Sequence, residues 1–181
     1  MDEDIEKLME DFHNRPIHKE LTAGIIDETT DDDLVQVVFD NIIEKFADDY
    51  EKEFSTVMGL SKGRQTIYII WVVEAEVNNG GFNQYYYNSS GQFAEFAPDA
   101  FNLIGANKYA DLVTKANNIY TKENKKITKN LDGTIEGFSK SYDDNPLNEL
   151  DSIFYELANT EDIQKLQADF IRKNKADFID K

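Results

Sequence analysis

The sequence predicts an all-α fold, a single multi-helix domain built around one central apolar helix. Three observations lead there: apolar residues recur at three- and four-residue spacings, strand-like alternation is scarce, and only 3 of the 181 residues are proline. A chain of this length suits one domain that buries about 70% of the surface its unfolded form would expose. With 40% apolar and 12% aromatic residues it can build a core in spite of a formal net charge of −17.

Residues 2–12 form a short amphipathic candidate helix with Ile5, Leu8, Met9 and Phe12 on one side, ended by the Arg15-Pro16 step. A turn-like stretch follows. Asp31, Asp32 and Asp33 then place carboxylates at the positive end of a helix predicted over residues 31–54. Residues 61–79 start at a capping Ser61 and continue through Ile67, Ile69, Ile70, Trp71, Val72, Val73, Ala75 and Val77, apolar nearly all round, which places this helix in the middle of a bundle. Its β-branched run also fits a buried strand, but its length and the Gly80-Gly81 terminator favour a helix. A short helix over 82–87 stops at Asn88-Ser89-Ser90-Gly91, and Pro98 suits the first residue of the next one. Further helices are expected over 108–120, over 134–142, from Asn145-Pro146 to about 157, and from Thr160 to about 173.

Charge and missing motifs narrow the function. Without cysteine there is no disulfide, thiolate metal site or cysteine nucleophile. Residues 1–10 are acidic where a signal peptide needs a basic start and an apolar run, and the longest apolar stretch, 67–73, is far shorter than the roughly 20 residues that cross a bilayer. A cytoplasmic location is expected. A molecule this acidic is repelled by nucleic acid and by anionic membranes and attracted to basic proteins. Phosphate-loop, dinucleotide and G-x-S-x-G signatures are absent, so no cofactor is expected. His13 and His18 lack zinc-protease spacing, and the acidic run from Asp27 to Asp33 lacks the glycine and distant glutamate of a calcium loop, so no metal is expected. Asn88-Ser89-Ser90 matches a glycosylation acceptor, a match with little meaning without a signal peptide. Glu74 and Glu76 are the only carboxylates of the most apolar helix, so burial should raise the pKa of at least one. They point about 200° apart and cannot clamp one substrate together.

Residues 74–91 read E-A-E-V-N-N-G-G-F-N-Q-Y-Y-Y-N-S-S-G. This run, with Glu74, Asn78, Asn79, Gly80, Gly81, Phe82, Gln84, Tyr85, Asn88 and Gly91, resembles the signature of the bacterial DMP-type DNA-mimic protein family, with the resemblance spanning roughly residues 35–157. The resemblance implies a helical bundle and, for members that act as mimics, surface carboxylates that imitate DNA phosphates and occupy the DNA-binding surface of a transcription factor. The motif itself reads as a folding signature: glycines for close approach or positive φ, aromatics for core area, and the amides of Asn78, Asn79, Gln84 and Asn88 for buried helix ends. Mimicry must then reside in carboxylates outside it.

Those carboxylates concentrate at one end. Residues 1–53 hold 18 acidic and 5 basic side chains, a net −13 of the −17. At 100° per residue, Asp33, Asp40, Glu44, Asp48 and Glu51 fall within about 80° on the predicted helix 31–54, opposite Val35, Val38, Phe39, Ile42, Ile43, Phe46 and Tyr50. The stripe spans about 27 Å with one charge per roughly 5 to 7 Å. A DNA strand carries a phosphate every ~3.4 Å, so a second contribution is needed, for which Asp2, Glu3, Asp4, Glu6, Glu10 and Asp11 are candidates. Asp31, Asp32, Asp33, Asp40, Glu44, Asp48 and Glu51 are thus the candidate partner-binding residues of a non-catalytic protein that binds a basic DNA-binding protein, such as a transcription factor, and competes with DNA. A homodimer would match a two-fold partner. The alternatives are an acidic neutraliser of a basic toxin or nuclease, and a hydrolase using Glu74 or Glu76 in a pocket with Tyr85, Tyr86 and Asn78.

Overall fold

Helices hold together here because one long apolar element offers a surface to most of the others. The computed structural model describes residues 7, 9, 10, 12–46 and 50–180, and among them there is no strand. Among the described residues from Ala23 on, nine α-helices follow in order: α1 (Ala23–Glu28), α2 (Asp31–Glu44), α3 (Glu53–Gly59), α4 (Lys62–Tyr87), α5 (Ala97–Ile104), α6 (Asn107–Ile127), α7 (Ile135–Lys140), α8 (Asn148–Leu157) and α9 (Ile163–Lys173), with short 3-10 turns at Tyr50–Lys52, Ser89–Phe93 and Lys175–Asp177. Helix α4 contacts α2, α3, α5, α6 and α8, while α9 closes over α2 and α5. The expected central apolar helix is therefore present: Ile67, Ile69, Ile70, Val73 and Val77 of α4 are all buried in one core.

Local signals place most boundaries. The Ser61 hydroxyl accepts the Arg64 N–H to start α4, Pro98 lies in the first turn of α5, and Gly105, left-handed at φ 87, ends it. Helix α9 begins later than expected, because Asp162 rather than Thr160 caps it by accepting the Lys165 N–H.

Three expectations are corrected. The predicted helix 31–54 ends at Glu44, and Glu51 stands on a separate 3-10 turn before α3. The turn-like stretch before residue 31 contains α1, six residues capped by the Thr22 hydroxyl. The Gly80-Gly81 pair does not end the central helix but kinks it inside α4, with Gly80 at φ −156, ψ 26 and Gly81 at φ 70, ψ −177. Asp2, Glu3, Asp4, Ile5, Glu6, Leu8 and Asp11 of the first candidate helix and acidic set, and Asp48 of the stripe, lie outside the described residues; Met9 and Phe12 of that candidate helix are exposed.

The carboxy-terminal segment returns to the start of the fold. Asp180 accepts hydrogen bonds from the Leu21 N–H at 2.8 Å and from Lys45 at 3.0 Å, and pairs with Arg64 at 3.0 Å. Burial opposes ionisation of Asp180, yet these partners together hold its carboxyl below its ordinary range.

Candidate functional site

The kink in α4 is built by residues far away in sequence. A break of this kind leaves carbonyls of the upstream turn and N–H groups of the downstream turn without helical partners. Tyr155 donates to the Val77 carbonyl at 2.8 Å, Tyr142 donates to the Gly80 carbonyl at 2.8 Å, and the Asp151 carboxylate accepts the Phe82 N–H at 2.8 Å. Burial raises the Asp151 pKa while the Phe82 N–H pulls it down.

Glu76 ties the two halves of the signature together. Its carboxylate accepts from Gln84 Nε2 at 2.7 Å, Asn88 Nδ2 at 2.8 Å and Ser90 Oγ at 3.1 Å. Gln84 and Asn88 thus serve this carboxylate, and Asn78 and Asn79 are exposed, so the expected role of the four amides at buried helix ends is corrected. Phe82 and Tyr85 supply buried aromatic area as anticipated.

Glu74 lies on another side of α4. It lines a cavity of about 310 Å³ between α2, α4 and α9 with Trp71, Asn78, Asp32 and Gln167. Its carboxylate accepts from Gln167 Nε2 at 3.1 Å, and burial pushes its pKa up to about 7 against that hydrogen bond. The pocket imagined around Tyr85, Tyr86 and Asn78 is not formed: Tyr86 instead stacks on Tyr120 at 4.1 Å and donates to Asn117.

The acidic surface differs from a simple stripe. Asp40 is only 6% exposed. Arg15 reaches it through Nε at 2.6 Å and Nη2 at 2.8 Å, and Gln36 donates to it at 2.8 Å. The helical phase of Asp40 matches Asp33 and Glu44, but the amino-terminal segment covers that part of the face, so Asp40 is removed from the partner-binding set. Asp31 pairs with Arg172 at 2.6 Å and Asp27 with Lys175. Among the described residues, Glu28, Asp32, Asp33 and Glu51 are exposed and have no ion pair, and Glu44 meets Lys19 only at 3.8 Å. The structure therefore gathers Glu28, Asp31, Asp32 and Asp33 at the α1–α2 turn, with Glu44 at the far end of α2 and Glu51 beyond it. No group of three or more potential metal ligands occurs among the described residues.

Comparison with known proteins supplies the context. The family model described as DMP19-like protein matches residues 58–174, which is well over half of the chain. The match begins later and ends later than the resemblance expected over 35–157: it includes α9 and leaves out α1 and α2. No curated protein and no solved structure matches the chain. No described helix is long and apolar enough to cross a membrane.

Proposed function

Since the chain belongs to the DMP19-like protein family, which suggests a DNA-mimic protein, we propose that it is a non-catalytic mimic that binds the basic DNA-binding surface of a transcription factor or other DNA-binding protein and competes with DNA. The observation that carries this reading is the exposed carboxylate cluster at the α1–α2 turn, Glu28, Asp32 and Asp33, which have no ion pair among the described residues, in a chain of net charge −17.

Two physical arguments support a binding role for these side chains. Three successive aspartates in the first turn of α2 gain only a few tenths to 1 kcal/mol each from the helix dipole, and neighbouring like charges give part of that back. A face that is not optimised for stability is consistent with one kept for a partner. A concentrated negative field also accelerates encounter with a basic surface and makes binding salt-dependent. Because α1 and α2 lie outside the matched residues, the charge pattern would be this chain's own means of choosing its partner.

The experiment is capture on the immobilised protein at low salt, followed by elution with salt. Retention of a DNA-binding protein that is released steeply by salt, and lost with the triple variant Asp32→Asn, Asp33→Asn, Glu44→Gln, supports the proposal. A retained nuclease or toxin would establish the neutraliser reading instead, and retention that survives high salt and the triple variant would overturn both.

A further inference from the structure

The cavity beside the acidic cluster has walls of one chemical kind. Asp32 and Glu74 contribute carboxylates, Gln164, Gln167 and Asn78 contribute amides, and among the described residues no Lys, Arg or His lines it. Asp32, Asn78 and Gln164 are exposed at the mouth, while Gln167 at the inner wall is 1% exposed. Gln167 spends its Nε2 on Glu74 and leaves its buried Oε1 without a donor. An unpaired buried acceptor costs about 1–3 kcal/mol, so the site lacks a hydrogen-bond donor.

The missing donor can be characterised. A metal ion is the poorer fit, because among the described residues the cavity offers two carboxylates and no third His, Cys, Asp or Glu side chain, leaving only amide oxygens to complete a coordination shell. An anion would meet Asp32 and Glu74 without a compensating cation. The volume, about 310 Å³, is at the small end for ligand sites, which suits one side chain rather than a large cofactor. Phe39 covers one face of Trp71, with centroids 3.7 Å apart, so only the other face or the edge of that ring can meet a ligand. A flat cation carrying several N–H groups satisfies all of these conditions: it pairs with carboxylates, donates to amide oxygens and packs on an aromatic ring.

We infer that the groove between α2, α4 and α9 receives an arginine guanidinium presented by the partner protein, with Glu74 and Asp32 as its counter-ions and the Gln167 Oε1 as an acceptor. The inference rests on the proposed binding of a basic DNA-binding surface, and it adds to the diffuse acidic face a single anchoring pocket. Asp32 belongs to both, so an arginine steered by the α1–α2 cluster is delivered at the mouth of the groove.

The test uses the intact protein and the probe Nα-acetyl-arginine methylamide, with the uncharged citrulline analogue and the lysine analogue as controls. The chain has one tryptophan, Trp71, in the cavity wall, so its fluorescence reports occupancy directly. The expected result is a saturable change with the arginine probe in the millimolar range, no saturation with citrulline, and weaker binding of the lysine analogue. Glu74→Gln, which keeps the side-chain shape, should weaken the probe by about tenfold, and Asp32→Asn by about fivefold. No saturable response to the arginine probe, equal binding of citrulline, or undiminished binding by a folded Glu74→Gln variant overturns the inference. The two readings fail separately: probe binding without any basic partner would remove the mimic proposal and leave the pocket, whereas a salt-sensitive partner with no probe response would remove the pocket alone.

Discussion

The Asp151 carboxylate occupies the space in which a side chain on Gly81 would stand. A Cβ at Gly81 would lie 2.3 Å from Asp151 Oδ2, while Oδ1 of the same group accepts the Phe82 N–H at 2.8 Å. Gly81 is also at φ 70, ψ −177, a conformation essentially restricted to glycine. One glycine thus permits both the kink and the carboxylate that satisfies it. Gly81→Ala should cost about 1.5–5 kcal/mol, combining about 1–3 for backbone strain with about 0.5–2 for the displaced cap. Urea unfolding checks this. Because both changes act on one contact, the double variant with Asp151→Ala should lose less than the two single losses added together.

Glu76 should behave as a structural residue. Three donors converge on its carboxylate from the second half of α4 and the turn beyond it. Glu76→Ala leaves them without that acceptor and should lower stability by about 2–4 kcal/mol, whereas Glu76→Gln retains part of the network and should cost less. Thermal unfolding of the two variants, with the arginine-probe affinity unchanged in the folded state, distinguishes this role from one in binding.

Glu74 predicts a pH dependence of the opposite sign to ordinary acid denaturation. Its pKa rises on folding from 4.5 to about 7, so between these values the folded state holds a proton that the unfolded state releases. The stabilising contribution is fully present below about pH 4.5 and is lost as pH rises through about 7, by roughly 3 kcal/mol at most. Tyr109, pushed up to about 12 by burial and then by the charges of Glu74 and Glu161, stays neutral over this range. Comparing unfolding free energies of the parent and Glu74→Gln at pH 5 and pH 8 isolates the effect. The variant should gain relative stability at the higher pH, and an equal difference at both values would contradict the assignment.

The acidic residues should divide into two classes. Asp40 is enclosed with Arg15 and Gln36, so Asp40→Ala should destabilise the fold by about 1–3 kcal/mol, less than a fully buried pair because the Arg15 side chain is 27% exposed. Asp32→Asn and Asp33→Asn should change stability by no more than about 0.5 kcal/mol and instead reduce the salt dependence of partner binding. Melting curves and salt titrations of the same three variants separate the classes.

The sequence was most informative where structure is decided locally. Ser61, Pro98 and the all-round apolar run of α4 are signals carried by a few neighbouring residues, and each is legible in the sequence. The misplaced features depend on long-range partners. Helical phase aligns Asp40 with Asp33 and Glu44, but it carries no information on Arg15, 25 residues earlier, folding over that turn. The scarcity of cations in the acidic third was the available hint, since a lone arginine there has many carboxylates to choose from. Gly81 announces an unusual backbone, yet Asp151, Tyr142 and Tyr155 could not be named as its supports from a motif ending at residue 91. The open surface left by these pairings is smaller than the stripe first inferred, and it is centred on the α1–α2 turn.

Competition with DNA tests the central claim most directly. Fluorescence anisotropy of labelled DNA bound to the captured basic protein should fall to the value of free DNA as this protein is added, with displacement weakened by added salt and by the Asp32→Asn, Asp33→Asn, Glu44→Gln variant. Anisotropy that remains high or rises, because a ternary complex forms while DNA stays bound, would contradict it.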